Sequence, residues 1–243
     1  MLFRSGEFLN LLLELTGNRY GRSFCRPGGV CFDIDSPMAD DFRWRLLKAK
    51  KELKEIADLF FMKPSVLSRL EGIGEVDLGA AKQLGLVGPA ARASGCARDV
   101  RTDYAFGMYR FHQIPMSVTD AGDVYARALI RWLEAQRSLD FLLELLDQLP
   151  QGSLRVSIGP LAPNAMALAM AEGWRGEIVH VAVTDDHSNI RRYKIKDPSF
   201  HNWTALSWAV RGMPISDFPL CNKSFNLSYA RSEEHTSELQ SQR

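Results

Sequence analysis

Several things are scarce in this 243-residue chain, and each shortage removes a class of function. Net charge is nearly absent: 30 Lys and Arg stand against 29 Asp and Glu, a formal balance of +1. That balance removes the general electrostatic case for a nucleic-acid partner. No run approaches the roughly 20 apolar residues that a membrane-spanning helix needs. The apolar stretch Leu139–Leu149 is interrupted by Asp140, Glu144 and Asp147. Cysteine is limited to Cys25, Cys31, Cys96 and Cys221, too few and too scattered for a disulfide scaffold, which fits a reduced compartment. Cys25 and Cys31 are not followed by a second pair at metal-ligand spacing, and His112, His180, His187 and His201 share no i,i+4 arrangement. Nucleophile motifs, internal repeats and low-complexity linkers are missing. Gly72-Ile73-Gly74 lacks the third glycine and the preceding strand of a dinucleotide loop.

What remains is ordinary globular material, 46% hydrophobic and 24% charged. Glu7–Gly17 places Phe8, Leu11, Leu12 and Leu15 on one helical face and ends at Gly17. Asn18–Asp41 breaks that rhythm around Arg26-Pro27-Gly28-Gly29. Asp40 or Asp41 is expected to cap a helix through Phe61 that buries Leu46, Leu47, Leu53, Ile56, Ala57 and Phe60. Lys54–Glu71 has the outline of a helix-turn-helix. Phe60, Phe61 and Met62 fill its turn, where a small residue is needed, so two packed helices are the expectation. Asp77 opens a short helix that Gly85 ends, and Gly88–Asp103 reads as irregular. Asp120 or Asp123 opens a helix to about Leu149, with Tyr125, Leu129, Trp132, Leu133, Gln136, Leu139 and Leu143 on its buried side. Glu177–Thr184 and Ile190–Lys196 alternate with period two about Asp185–Asn189, a β-hairpin, and Ser199–Arg211 returns to helix. The fold class predicted from this pattern is α+β, mainly α, with a small β-hairpin region near the C-terminus.

The two ends differ in character. Arg231–Arg243 (RSEEHTSELQSQR) resembles the translation of a sequencing adapter, and Leu2–Ser5 resembles its partner. Residues 1–5 and 231–243 are therefore expected to be foreign, Met1 is not expected to be the natural start, and 6–230 is taken as the genuine part.

Three clusters are more specific than a bland helical protein requires. Arg26-Pro27-Gly28-Gly29 puts a guanidinium beside a tight turn. Glu172-Gly173-Trp174-Arg175-Gly176-Glu177 sets an arginine between glycines before a strand, and Asp197-Pro198-Ser199-Phe200 joins the hairpin to the last helix. Their order, from ELTGNRYGRSFCRPGGV through GLVGPAARASGCARDVR, GDVYARALIRWLEAQRSL and EGWRGEI to KIKDPSFHNWTALSWAVRG, resembles the 49-kDa subunit family of respiratory complex I, the NADH-quinone oxidoreductase. That family is homologous to the large subunit of membrane-bound [NiFe] hydrogenases of the formate hydrogenlyase and hydrogenase-4 types. The likeness covers nearly all of residues 6–230 and corresponds to the later part of one large-subunit domain, with a hydrogenase-large-subunit-like helical core.

The resemblance implies an electron-transfer subunit in the peripheral arm of a membrane complex, on the cytoplasmic side. It would cover an iron–sulfur cluster held by a small partner subunit and contact other peripheral-arm and membrane subunits, with no nucleic acid involved. Quinone is the implied acceptor, and NAD enters only at the level of the assembly. In the hydrogenases nickel and iron are held by two CxxC pairs, and Ser228 stands where the first thiolate of the C-terminal pair is expected. A hydroxyl is harder and far less acidic than a thiol, so the nickel–iron centre is weighed against. Arg175 matches the arginine of the family's [AP]-P-R-G turn, with Trp174 in place of proline. Arg175, Glu172 and Asp197 are the candidate catalytic residues: a cation to stabilise a reduced intermediate and carboxylates to pass protons. Arg26 is the candidate cofactor-binding residue. The alternatives are a hydrogen-evolving [NiFe] large subunit and an inert structural subunit. The family's quinone-head histidine and tyrosine would lie upstream, so this piece alone is expected to be inactive.

Overall fold

In the computed structural model, residues 5–229 are described; the adapter-like string at 231–243, and that at 1–5 apart from Ser5, lie outside them. The first helix, α1 (Ser5–Thr16), stops at Gly17, whose φ of 71° suits glycine. Two short paired strands follow, β1 (Cys25–Arg26) and β2 (Gly29–Val30). The long helix α2 (Ser36–Met62) begins five to six residues earlier than expected, because Asp35 rather than Asp40 or Asp41 is its cap and accepts the Met38 N–H. Its buried stripe is Ala39, Phe42, Leu46, Ala49 and Ala57, spaced at helical period. Leu47, Ile56 and Phe60 were expected inside and are exposed, since they sit off that stripe. The helix-turn-helix outline is absent: α3 (Pro64–Leu67) is a single turn with no buried residue.

Helix α4 (Leu78–Leu84) has the expected ends, with Asp77 accepting the Ala80 N–H at 2.8 Å and Gly85 left-handed at φ 67°. The stretch expected to be irregular forms α5 (Gly88–Ala93), wholly buried, and α6 (Val100–Asp103). A 3-10 turn at Gly107–Arg110 precedes α7 (Val124–Asp147). Asp123 caps α7 by accepting the Ala126 N–H at 2.7 Å. Its most buried positions are Val124, Ala126, Arg127, Ile130 and Leu139, whereas Tyr125, Leu129 and Trp132 are half-buried.

The expected hairpin is present as β4 (Gly176–Thr184) and β5 (Ile190–Lys196), and β3 (Met166–Gly173) extends it to an antiparallel β3-β4-β5 sheet. The sequence MALAMAEG carries helix-favouring Ala and Met, so its pairing with β4, not its propensity, makes it a strand. Helix α8 (Pro198–Ala209) starts at Asp197, a 3-10 turn covers Ile215–Asp217, and α9 (Phe218–Phe225) closes the described chain. The fold class is mainly α with a small β region toward the C-terminus, as expected.

The chain divides into two compact units. The first comprises the described residues up to Ile56 together with Leu139–Leu161, and its core joins Leu11, Phe42, Leu46 and Leu139. The second comprises Ala57–Ser138 and Ala162 onward. Its core packs Leu70, Val76, Ala81, Leu86 and Ala91 against Leu206, Cys221, Phe225 and Leu227.

Candidate functional site

The second unit holds the polar groups of interest, and small residues let its backbones approach closely. The turn between β3 and β4 is Trp174-Arg175, and Gly176 meets Gly88 at the start of α5. A Cβ on Gly88 would overlap the Gly176 Cα and lie 2.6 Å from the Arg175 carbonyl oxygen. Asn202 of α8 locks the junction. Its Oδ1 accepts the Val87 N–H and its Nδ2 donates to the Val87 carbonyl, each at 3.1 Å, and Nδ2 also reaches the Arg175 carbonyl at 3.4 Å.

Beside this junction lies a buried ion network centred on Arg92 of α5, which has no exposed surface. Arg92 Nε donates to Glu134 Oε1 of α7 at 2.8 Å, and Nη1 donates to Glu172 Oε1 of β3 and to the Arg98 carbonyl, both at 2.9 Å. Asp99, which caps α6, lies 3.4 Å from Arg92 and accepts from Arg101 Nε at 2.9 Å and Nη2 at 2.5 Å. At the rim Arg98 pairs with Glu177 at 2.7 Å. The carboxylates respond differently. Burial pushes the Glu172 carboxyl up despite the attraction of Arg92. Burial acts the same way on Asp99, but the Arg101 hydrogen bonds and the Arg92 charge outweigh it and hold its carboxyl down.

A second cluster faces the end of α9. Arg127 donates to the Gly122 carbonyl at 2.7 Å, the Gly74 carbonyl at 3.0 Å and Ser224 Oγ at 2.8 Å, and stacks over Phe225. Arg131 donates to the carbonyls of Ser224 at 2.5 Å and Phe225 at 3.1 Å, while Arg175 Nε donates to the Asn226 carbonyl. Two guanidiniums thus cap the terminal carbonyls of α9, where the helix dipole is negative. Burial pushes the Arg127 and Arg131 guanidiniums down to about 10. Beyond them the Ser228 N–H donates to Ser199 Oγ at 3.1 Å.

The sequence-derived candidates therefore separate. Arg175, Glu172 and Ser228 all belong to the second unit, Arg175 bonding the segment that leads to Ser228 and Glu172 bonding Arg92. Asp197 accepts the Ser199 N–H at 2.7 Å as the cap of α8. Arg26 lies exposed in β1, in the first unit. Sequence reasoning missed Arg92, Asp99, Arg101, Glu134, Arg127 and Arg131. One signal was available: Arg92 is a lone charge among Ala90, Ala91 and Ala93, and such a residue is buried only when paired.

Residues 2–161 and 153–233 match the family model of the respiratory-chain NADH dehydrogenase, 49 Kd subunit. The chain belongs to that family. The chain is 34% identical over 211 residues to the carbon monoxide-induced hydrogenase of Rhodospirillum rubrum, covering 86% of this chain and 58% of that protein. It is 31% identical over 222 residues to formate hydrogenlyase subunit 5 of Escherichia coli, covering 91% of this chain and 39% of the relative. With NADH-quinone oxidoreductase subunit 4 of Thermus thermophilus it shares 27% over 243 aligned positions, 88% of this chain and 59% of that one. A solved chain of the membrane-bound sulfane sulfur reductase, an archaeal respiratory membrane complex, superposes with a TM-score of 0.86 at 29% identity. That match covers 92% of this chain and 62% of the solved one. The chain thus spans less than two thirds of each of these relatives.

Nickel and iron are the metals that the resemblance to hydrogenases raises, and the donors present can be tested directly. Among the described residues, no three His, Cys, Asp or Glu side chains converge as a metal would require. Position 228 offers a hydroxyl, and Cys221 is buried against Arg127 with its thiol pushed up by burial. Of the donors expected at this end of the chain, the described residues therefore supply a hydroxyl at 228 where a nickel–iron centre takes a thiolate. Among the described residues no helix is long and apolar enough to cross a membrane.

Proposed function

We propose that the chain is the C-terminal part of one large-subunit domain of a membrane oxidoreductase, peripheral on the cytoplasmic side. In this reading the subunit passes electrons from an iron–sulfur cluster of a small partner subunit to quinone or a related acceptor, and membrane partners couple that transfer to ion pumping. The observation that carries the reading is the segment ending in Ser228. Its backbone is held by arginines, while the side chain it presents lacks the thiolate that nickel would need.

The residues supply suitable chemistry. An acceptor that gains electrons becomes more basic and more negative. Arg175 and Arg131, fixed on backbone carbonyls, supply positive charge that needs no reorganisation as the acceptor is reduced. Glu172, whose carboxyl is pushed up by burial, holds a proton more readily than an exposed glutamate and can release it to a neighbouring base. Asp197 serves as the cap of α8, and Arg26 lies exposed in β1.

The test is to recover the full-length gene, express its product with the small-subunit partner, and measure nickel and acceptor reduction together. The expected result is no stoichiometric nickel and quinone-dependent oxidation of the partner cluster. Stoichiometric nickel with hydrogen evolution would replace this reading with a hydrogenase. Neither nickel nor acceptor reduction would leave an assembly role.

A further inference from the structure

We propose that Arg92 is a positioning residue: it gathers Glu172, Glu134 and Asp99 into one buried acid cluster that stores a proton on Glu172, beside the turn carrying Arg175. The use of that proton in electron transfer rests on the function proposed above, but its storage does not.

Three carboxylates converge on the two guanidiniums that bond them. Arg92 contacts Glu134, Glu172 and Asp99, while Arg101 contacts Asp99 at 2.5 Å and Glu134 at 3.7 Å. Among the directly paired groups three carboxylates face two guanidiniums, Arg131 acting further out on Glu134, and the set is buried: the side chains of Arg92, Asp99 and Glu172 are 0%, 2% and 4% exposed. A buried excess charge is relieved most cheaply by taking up a proton. The partners decide where it goes. Asp99 is gripped twice by Arg101 and reached by Arg92, and Glu134 is shared by both arginines. Glu172 has a single guanidinium contact and a long 3.4 Å bond from the Val100 N–H, so it is the least compensated of the three.

The charges that act on Glu172 come from three places: Arg92 of α5, Asp99 in the loop before α6, and Arg101 of α6, while Glu134 and Arg131 of α7 act on Arg92 and on each other. Glu177, the register partner of Glu172 on β4, is occupied by Arg98. Arg131 directs its hydrogen bonds to the Arg127, Ser224 and Phe225 carbonyls, so among the described residues Arg92 is the one guanidinium bonded to Glu172.

The experiment is a carboxyl infrared titration of the full-length protein with its small-subunit partner, with Glu172→Gln to assign the band. A carboxyl band that titrates above the ordinary carboxylate range and disappears in Glu172→Gln is expected. In Arg92→Gln that band should titrate higher by about 1 to 3 pH units, because a contacting cation is removed. Arg92→Lys should return it toward the wild-type position, which a merely structural role would not do. Should Arg92→Gln fail to fold, Arg101→Gln serves instead, with a smaller upward shift of the same band. A band that titrates in the ordinary range in the wild type, or stays put in whichever variant folds, overturns the proposal. Acceptor reduction is measured on the same samples, so loss of the proposed function with an intact titration is distinguishable from loss of the proton site.

Discussion

Arg127 shows how one side chain organises its neighbourhood. It is 1% exposed, satisfies two carbonyls and a hydroxyl from three segments, and covers the Phe225 ring. An apolar replacement of similar length removes the cost of burying the charge but strands those acceptors. Arg127→Met is therefore expected to destabilise the protein by about 3 kcal/mol, measured by urea unfolding. Asp99 gives a pH-dependent case. Its folded carboxyl is held below its ordinary value, so its stabilisation is present above that value and is lost as pH falls through the depressed one. Asp99→Asn should accordingly cost stability at neutral pH, and the gap to wild type should close on acidification; a constant gap would contradict the ion-pair account. Glu172 has the opposite sign. Its raised carboxyl favours the folded state below the ordinary glutamate range, and that contribution disappears as pH rises through the higher folded value.

At the scale of elements, the junction of α5 with the β3–β4 turn depends on two glycines in contact and the Asn202 clamp. Gly88→Ala must both adopt φ 67° and displace Gly176, so a loss of about 3 kcal/mol or more is expected from thermal unfolding. Asn202→Ala, which only removes hydrogen bonds, should cost about 1 to 3 kcal/mol. Local signals made some elements legible. Asp77 and Gly85 bracket α4 in the sequence as they do in space, and period-two alternation marked β4 and β5. The first strand of the sheet and the network on Arg92 were not legible. Met166–Gly173 becomes a strand only because β4 is beside it, and Arg92 meets partners 42 and 80 positions away. Of the candidate site, Arg175 and Glu172 were found because glycines announce the turn between them. Arg92, Glu134 and Asp99 carry no local mark, since their meaning is pairwise.

For the molecule as a whole, the outer surface is informative. Trp44, Met62, Phe111, Met166 and Ile215 are all exposed, which is a heavy apolar load for a chain of nearly neutral charge. Expressed alone, residues 6–230 should self-associate and bind a hydrophobic dye, and both signals should fall when the full-length protein is assembled with the small subunit proposed as its partner. Sedimentation would reveal a well-behaved monomer if that expectation is mistaken. The family assignment belongs to this scale too, because no single motif carries it and the order of the motifs does.

Position 228 is anchored by its main chain: its N–H rests on Ser199 Oγ, and the carbonyls just before it are bonded by Arg131 and Arg175. A site fastened in this way separates architecture from reactivity. The side chain at 228 can be exchanged over generations while the backbone that presents it stays where it is. The prediction is that Ser228→Cys folds within about 1 kcal/mol of the parent. If position 228 is the ligand position proposed above, a single codon change there exchanges a hydroxyl for a soft thiolate without rebuilding the framework that presents it.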